Sequence, residues 1–357
     1  MARGVSAFLG QVGMRLPIVQ APMAGISSPA MAAAVSAAGA LGSMGVGAVD
    51  AAGAREMIEA VRDRTGAPFN VNLFCHKPAT ANADIEQAWI ARVRPQFEML
   101  GAVPPAGLSE IYRSFVVDGA MLKMLVETKP AVVSFHFGLP TYMTLRALSD
   151  AGIILVATAT NLREARLIES QGVNAIVAQG WEAGGHRGTF EPDLVDEELG
   201  TMALTRLLVR ETRLPVIAAG GIMDGAGIAA ALDLGAAAAQ LGTAFIGCEE
   251  SLADDGYRLA LASDAAQHTV ITRAISGRPA RCLANRFTAL GSMISAMSVP
   301  DYPIAYDLGK ALHAAGKAHG EYGFGAQWAG QGAPLARFMP AANLIETLER
   351  ELEAAPR

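Results

Sequence analysis

The chain has 357 residues, and 52% of them are hydrophobic, which is enough to bury a large core. Its net charge is −6, only 6% of its residues are aromatic and it has no basic run, so a nucleic-acid partner is not expected. The positive mean hydropathy comes largely from alanine-rich segments such as 226–239. We predict no membrane association, because no apolar run reaches the roughly 18 residues of a spanning helix.

The N-terminal segment 1–17 lacks the apolar stretch of a signal peptide. Three widely spaced cysteines, Cys75, Cys248 and Cys282, predict neither a disulfide scaffold nor a cysteine zinc site. No cluster of histidines and carboxylates has metal-ligand spacing, so we predict no metal. These features favour a protein of the reducing cytoplasm with a small-molecule ligand. We expect a monomer or a homodimer.

Short apolar segments alternate with helical segments along the chain. The predicted strands cover residues 18–21, 41–44, 69–74, 132–135, 153–158, 175–178, 216–219 and 237–241. Helices are predicted between them, with Asn161 and Asp224 at N-cap positions. Alternation implies a parallel sheet, and eight repeats favour an α/β fold of the (β/α)8 TIM-barrel type. An open doubly wound sheet stays an alternative, because Gly42 weakens the second strand.

Two regions interrupt the repeat with further helical pattern. We predict that residues 1–74 and 130–249 form the barrel, and that 75–129 and 250–335 form a smaller, mainly helical cap with the substrate pocket. Residues 336–357 read as a C-terminal helix that packs on the barrel. The active site of such a barrel lies at the carboxyl ends of its strands, beneath the cap.

Glycine turns follow the last two predicted strands. Gly220-Gly221 comes after the seventh strand, and Gln240-Leu241-Gly242-Thr243 covers the end of the eighth. Glycines let backbone N–H groups approach an anion, and barrels commonly bind phosphate at these two loops. One such pair could be a simple turn, but two at the expected strands indicate a phosphorylated ligand of unspecified type.

The sixth predicted strand runs into a loop that contains Gln179, Gly184, Gly185 and His186. Gln179 ends the strand and should point into the mouth of the barrel, and the two glycines allow a flat ligand to approach. A histidine at this place suits acid–base chemistry near neutral pH, although a loop histidine is often merely solvated.

The chain resembles the FMN-dependent nitronate monooxygenases of the bacterial class I type, formerly called 2-nitropropane dioxygenases. The resemblance spans nearly the whole chain. The matching segments are Gln20–Gly25, 70–74, 182–188, 219–222, 240–243, Tyr302-Pro303 with Tyr306 and Lys310, and 328–331.

This resemblance implies a flavoenzyme that oxidises alkyl nitronates, or nitroalkanes, with O2 to carbonyl compounds and nitrite. It implies that His186 is the catalytic histidine. The cofactor-binding residues expected for FMN are Pro22, Met23, Asn72, Gln179, Gly184, Gly185, Gly220, Gly221, Gln240, Leu241, Gly242 and Thr243.

Tyr302, Tyr306 and Lys310 are spaced by four residues, which places them on one face of a helix if Pro303 lies in its first turn. The resemblance makes them the polar side of the substrate pocket, suited to an anionic nitronate; the plain alternative is a solvated helix face. His136, at the end of the fourth strand, is a further pocket candidate or else a buried histidine paired with backbone.

Three other functions stay open on the sequence. An FMN-dependent enoyl-ACP reductase and an NAD(P)H:quinone reductase would share the barrel and the flavin. A phosphate-binding barrel without redox activity would share only the glycine turns. The identity of the substrate, the use of NAD(P)H and the effect of the bulky Trp181 on the pocket are not readable from the sequence.

Overall fold

A closed barrel of eight parallel strands forms the centre of the protein in the computed structural model, which describes residues 3–292, 294–295 and 298–355. In chain order the strands are β1 (Ile18–Gln20), β2 (Gly42–Gly45), β3 (Phe69–Phe74), β4 (Val132–His136), β5 (Ile154–Ala159), β6 (Ala175–Gln179), β7 (Gly185–His186), β8 (Val216–Ala219), β9 (Ala238–Leu241), β10 (Thr269–Thr272) and β11 (Ala280–Leu283).

The barrel strands follow the order β1-β9-β8-β6-β5-β4-β3-β2, and every pairing is parallel. A parallel bridge between Val19 and Leu41 joins β1 to β2 and closes the ring. This closure excludes the open-sheet alternative and confirms the predicted barrel. Each predicted strand lies within about two residues of its observed position.

The helices are α1 (Arg3–Val12), α2 (Pro29–Ala37), α3 (Ala51–Arg62), α4 (Ala83–Met99), α5 (Gly119–Thr128), α6 (Tyr142–Asp150), α7 (Leu162–Ser170), α8 (Thr201–Glu211), α9 (Gly225–Asp233), α10 (Thr243–Ile246), α11 (Asp255–Leu261), α12 (Arg286–Gly291), α13 (Ile304–Lys317) and α14 (Ala341–Ala354). The predicted N-caps are present: Asn161 accepts a hydrogen bond from Glu164 N at 3.0 Å, and Asp224 accepts one from Gly227 N at 2.8 Å.

Two helices that do not belong to the repeat cover the barrel. The apolar face of α1, with Phe8, Leu9 and Val12, packs under the amino-terminal ends of the strands. Helix α14 packs against α2 and α9 on the outside, where residues 336–355 were expected to lie; residues 356–357 of the predicted segment are outside the described residues.

An apolar core joins the insertion after β3 to the region after β9. Trp89 and Phe97 of α4, from the insertion, share an apolar core with Leu308 and Leu312 of α13. The cap is not purely helical, however. Strands β10, β11 and β7 form a three-stranded antiparallel sheet, which was not predicted because these strands are short and β7 is far from the others in sequence.

The predicted boundary of the insertion also needs correction. Helix α5 was assigned to the cap with the rest of 75–129, yet it packs between α3 and α6 in the outer ring of the barrel. Its Met121, Met124 and Leu125 are buried in the barrel core. This helix therefore completes the β3–β4 unit, and the insertion ends before it.

Candidate active site

A cavity opens at the carboxyl ends of the barrel strands, beneath the cap. Together with its mouth it holds about 1330 Å³ of space. Most of the predicted site residues line it, namely Pro22, Met23, Asn72, His136, Gln179, Gly184, Gly185, His186, Gly220, Gly221, Gln240, Gly242, Thr243, Tyr302 and Tyr306. Leu241 and Lys310 do not. Leu241 is buried in the barrel wall, where it pairs with Gln20 of β1.

The turn after β8 requires glycine. Gly220 and Gly221 have φ values of +129° and +69°, which lie in the region that side chains disfavour. A Cβ atom on Gly220 would also lie 2.5 Å from Thr201 Oγ1, so the turn packs directly on the start of α8. The two glycines bring bare backbone to the cavity wall.

Backbone donors at this end of the cavity are unused. The N–H groups of Gly221, Gly242 and Thr243 make no hydrogen bond with any residue that the structure describes. The Thr243 hydroxyl oxygen accepts from Gly330 N at 3.0 Å, so its own proton is free to be donated. Converging N–H groups of this kind suit an anionic oxygen cluster such as a phosphate.

A chain of polar side chains inside the barrel orients Asn72. Asn70 Nδ2 donates to Ser134 Oγ at 2.9 Å, and Ser134 Oγ donates to Asn72 Oδ1 at 2.8 Å. The Asn72 amide nitrogen is thereby left without a partner in the described chain. The Gln240 side chain, which also lines the cavity, makes no hydrogen bond there either. Both amides are available to a bound ligand.

Gln179 clamps the loop that carries His186. Its Nε2 donates to His186 O at 3.0 Å, and its Oε1 accepts from Gly188 N at 2.6 Å. Gly185 and His186 also pair with β11 of the cap sheet. The barrel and the cap therefore fix the backbone of His186 from both sides.

The His186 ring lies in an aromatic box. Its centroid is 5.0 Å from that of Trp328, 5.3 Å from Tyr302, 5.7 Å from Phe137 and 6.1 Å from Tyr306. Burial, reinforced by the positive charges that His136 and Arg278 can carry, lowers the pKa of His186 to about 3. The imidazole is therefore neutral at physiological pH and able to accept a proton.

His136 combines its two predicted alternatives, a pocket residue and a histidine paired with backbone. It lines the cavity, yet Nε2 lies 3.2 Å from His186 O and Nδ1 lies 3.1 Å from Thr158 Oγ1. A carbonyl oxygen only accepts, so Nε2 carries the proton and Nδ1 accepts from the threonine. Because both nitrogens are engaged and burial lowers its pKa to about 4, His136 acts as a neutral support beneath the loop.

Tyr302, Tyr306 and Lys310 do not share one helix face as predicted. Helix α13 begins at Ile304, and Tyr302 precedes it across a cis peptide bond to Pro303. Tyr302 and Tyr306 still meet in the cavity wall; the Tyr302 hydroxyl is buried and has no partner in the described chain. Lys310 is exposed, with Nζ 5.1 Å from the Tyr112 ring centroid and 5.6 Å from that of Tyr306.

Tyr112, Phe137 and Arg278 lie near the cavity and were not among the site residues predicted from the sequence. Tyr112, from an irregular part of the insertion, lines the cavity. Phe137 has φ of +73°, an uncommon backbone for a phenylalanine, and its ring lies 4.3 Å from the guanidinium carbon of Arg278. Arg278 is 4% exposed and has no carboxylate within 4.0 Å among the described residues. No local pattern distinguishes these residues before the chain folds.

Other predicted features lie away from the cavity. Trp181 does not line it; the guanidinium carbons of Arg187 and Arg281 are each 5.5 Å from its ring.

Within the described ranges, no cluster of three or more His, Cys, Asp or Glu side chains is placed to hold a metal ion. Over the same ranges, no helix combines the length and apolar character needed to cross a membrane.

Comparison with known proteins gives a consistent result over the whole chain. The sequence model of a family described as nitronate monooxygenase matches residues 6–351. The chain is 61% identical over 350 residues to a nitronate monooxygenase of Paraburkholderia phytofirmans, with 98% of this chain and 96% of the relative covered. It is 52% identical over 345 residues to one of Pseudomonas aeruginosa, with 97% and 98% covered.

Solved structures also match this chain over nearly its whole length. A nitroalkane oxidase from Streptomyces ansochromogenes superposes with a TM-score of 0.88 at 39% identity, covering 98% of both chains. FabK from Thermotoga maritima superposes with a TM-score of 0.75 at 28% identity, covering 98% of this chain and 96% of that one.

Proposed function

This chain belongs to the nitronate monooxygenase family of enzymes, and we propose that it oxidises alkyl nitronates with O2, using FMN, to carbonyl compounds and nitrite. The observation that carries the proposal is one cavity with two chemically different ends. Glycine turns with unused N–H groups form one end. Aromatic rings around a neutral His186 form the other.

The glycine-turn end fits FMN. The N–H groups of Gly221, Gly242 and Thr243 would hold the phosphate, and the free amides of Asn72 and Gln240 would bind polar atoms further along the molecule. The flat ring would lie against the wall formed by Pro22, Met23, Gln179, Gly184, Gly185 and Gly220. When bound, FMN would accept electrons from the nitronate, which is redox chemistry that these side chains cannot supply.

The aromatic end fits a small nitronate. The Tyr302 hydroxyl is a buried donor with no protein partner in the described chain, so an anionic nitro oxygen can accept a hydrogen bond from it. Arg278, behind Phe137, adds a positive potential where little water screens it. Tyr306 shapes the wall, with its hydroxyl 3.3 Å from Trp328 Nε1. Lys310 would attract the anion from the mouth.

His186 would extend the activity to neutral nitroalkanes. A neutral imidazole can take the proton from the carbon that bears the nitro group, which leaves the nitronate anion in the pocket. Burial lowers the pKa of His186, so its imidazole is unprotonated at neutral pH.

The test is turnover and flavin reduction by H186N. We expect the variant to retain flavin and to lose about 100-fold or more of its turnover with a nitroalkane, since a general base contributes about 10²–10⁴-fold. Turnover of a preformed nitronate should fall less. H319N, at an exposed histidine outside the cavity, is the matched control.

Anaerobic mixing separates this function from its alternative. Bleaching of the flavin by a nitronate, with slow or no bleaching by NADH, supports the proposal. Rapid bleaching by NADH alone would instead indicate an NAD(P)H-dependent reductase, and a colourless protein that takes up no FMN would overturn the flavin assignment. A cytoplasmic location and a monomeric or homodimeric state stay predictions.

A further inference from the structure

The turn Ser276-Gly277-Arg278 touches His186 from the side opposite the barrel. Ser276 is fully buried, and its Oγ lies 2.9 Å from His186 Nε2. The same oxygen lies 3.3 Å from Arg278 O and 3.4 Å from Arg278 N. No sequence motif marks this serine, and nothing in the function proposed above uses it.

The hydrogen-bond inventory at Ser276 selects one histidine tautomer. A hydroxyl has one proton to donate and two lone pairs to accept with. Arg278 O can only accept, so the serine proton points to that carbonyl, while Arg278 N donates to the serine. His186 Nε2 then completes the set only as a second donor. All three contacts are satisfied together when Nε2 carries the imidazole proton.

The opposite tautomer leaves a contact unsatisfied. If Ser276 donated to an unprotonated Nε2, Arg278 O would lose its donor in a fully buried place, which is unfavourable. His186 Nδ1 makes no hydrogen bond with the part of the chain that the structure describes. With the proton on Nε2, the free lone pair is therefore on Nδ1.

The turn is held rigidly against the pocket. Gly277 has φ of +94°, and a Cβ atom there would lie 2.6 Å from both Pro300 O and Tyr302 N. Gly277 N also donates to Arg273 O at 2.8 Å. The hairpin that contains the turn continues into β11, which pairs with His186 itself. Ser276 and His186 thus belong to one fixed unit.

We propose that Ser276 is the positioning residue of His186: it holds the imidazole as the Nε2–H tautomer, so that Nδ1 presents its lone pair to the substrate. The proposal deepens the function given above and rests on His186 as the base for nitroalkanes. It assigns Ser276 no contact with substrate or flavin. Its effect should therefore be on the proton-removal step and not on flavin binding.

The first test reads the tautomer directly, by ¹⁵N NMR of histidine-labelled holoenzyme, with H186N used to assign the His186 signals. We expect Nε2 to show a protonated-type shift and Nδ1 an unprotonated-type shift. In S276A the two nitrogens should move towards averaged or exchanged values. S36A removes another buried hydroxyl, one that accepts from Gly42 N at 3.1 Å, and should leave the His186 signals unchanged.

The second test is kinetic. S276A should lose about 10-fold or more of its kcat with a neutral nitroalkane, a part of the contribution of a general base, and less than about 3-fold with the preformed nitronate. Placed in H186N, the same change should cost nothing more, because two residues that act through one group are not additive.

Each outcome decides the question. A protonated Nδ1 in the unmutated protein overturns the proposal, and this result needs no variant that folds. Signals and rates of S276A equal to those of S36A overturn it as well. If the unmutated enzyme oxidises no nitroalkane or nitronate while its His186 is the Nε2–H tautomer, the proposed function fails and the hydrogen-bond assignment stands.

Discussion

Replacing Gly184 with alanine tests how tightly the His186 loop packs on the segment that follows Trp328. The new Cβ atom would lie 2.4 Å from Gly330 N and 2.6 Å from the carbonyl carbon of Ala329. Ordinary contact begins near 3.4 Å, so the two segments must separate by about 1 Å. Both partners are backbone, and no side-chain rotation can relieve the overlap.

The cost follows from the bonds that this separation disturbs. Gly330 N donates to Thr243 Oγ1 at 3.0 Å, and Gln331 N donates to Glu182 O at 2.9 Å. Weakening both costs about 1–2 kcal/mol, and overpacking adds about 1–3 kcal/mol. We expect a loss of about 3 kcal/mol of unfolding free energy, which corresponds to a decrease in Tm of roughly 4 °C for a chain of this size.

The assay combines thermal melting with the flavin absorbance of the purified protein. G184A should melt lower and retain less flavin, because Thr243 and the Trp328 segment shift with Gly330. G66A is the matched control, since a Cβ there meets nothing within 4 Å. A G184A protein with the Tm and flavin content of G66A would refute the packing argument.

Three further predictions follow from buried polar groups. Y302F removes a buried hydroxyl without a partner in the described chain, so its unfolding free energy should stay equal or rise by up to about 1 kcal/mol, while KM for a nitronate rises about 10-fold; lowered stability in denaturant titrations together with unchanged KM would contradict this. R278M should lower kcat/KM for an anionic nitronate about 10-fold, and R278K should lower it less because lysine keeps the charge. The kcat/KM for a neutral nitroalkane should fall less in either variant, and equal effects on both substrates would argue against an electrostatic role. Burial lowers the pKa of His76 to about 4, of His136 to about 4 and of His186 to about 3. Below about pH 6.5 these histidines therefore bind protons in the unfolded chain but stay unprotonated in the folded one. Stability is therefore present at neutral pH and lost as the pH falls: urea titrations of flavin-free protein should show about 4 kcal/mol less at pH 5.5 than at pH 7.5, about 1.3 kcal/mol for each histidine, and a flat profile would show that these groups are not buried as neutral species.

The barrel and the place of its site could be predicted from local patterns in the sequence. Strands buried on both faces are continuous apolar runs, and the helices between them carry their own N-caps at Asn161 and Asp224, so local patterns suffice to order the repeat. Since the carboxyl ends of parallel strands meet at one edge, residues near these ends, such as Asn72, Gln179 and Gly221, converge there.

Contacts between residues distant in the chain could not be predicted, because they depend on how the elements pack. β7 has only two residues, and its partner β11 begins far along the chain at Ala280. No periodicity in the sequence could therefore reveal that His186 is fixed in a sheet. The same holds for Ser276, whose role depends on one side-chain contact. Spacing by four also misplaced Tyr302, because α13 begins only after Pro303.

The positive charge near the pocket shows why burial could not be predicted from local sequence. The spacing of the tyrosines and the lysine predicted Lys310 as the positive charge of the pocket, yet Lys310 is exposed, whereas Arg278 is buried. Burial depends on every element that packs around a residue. Local sequence determines which elements form, whereas their packing determines which side chains lose water and become reactive.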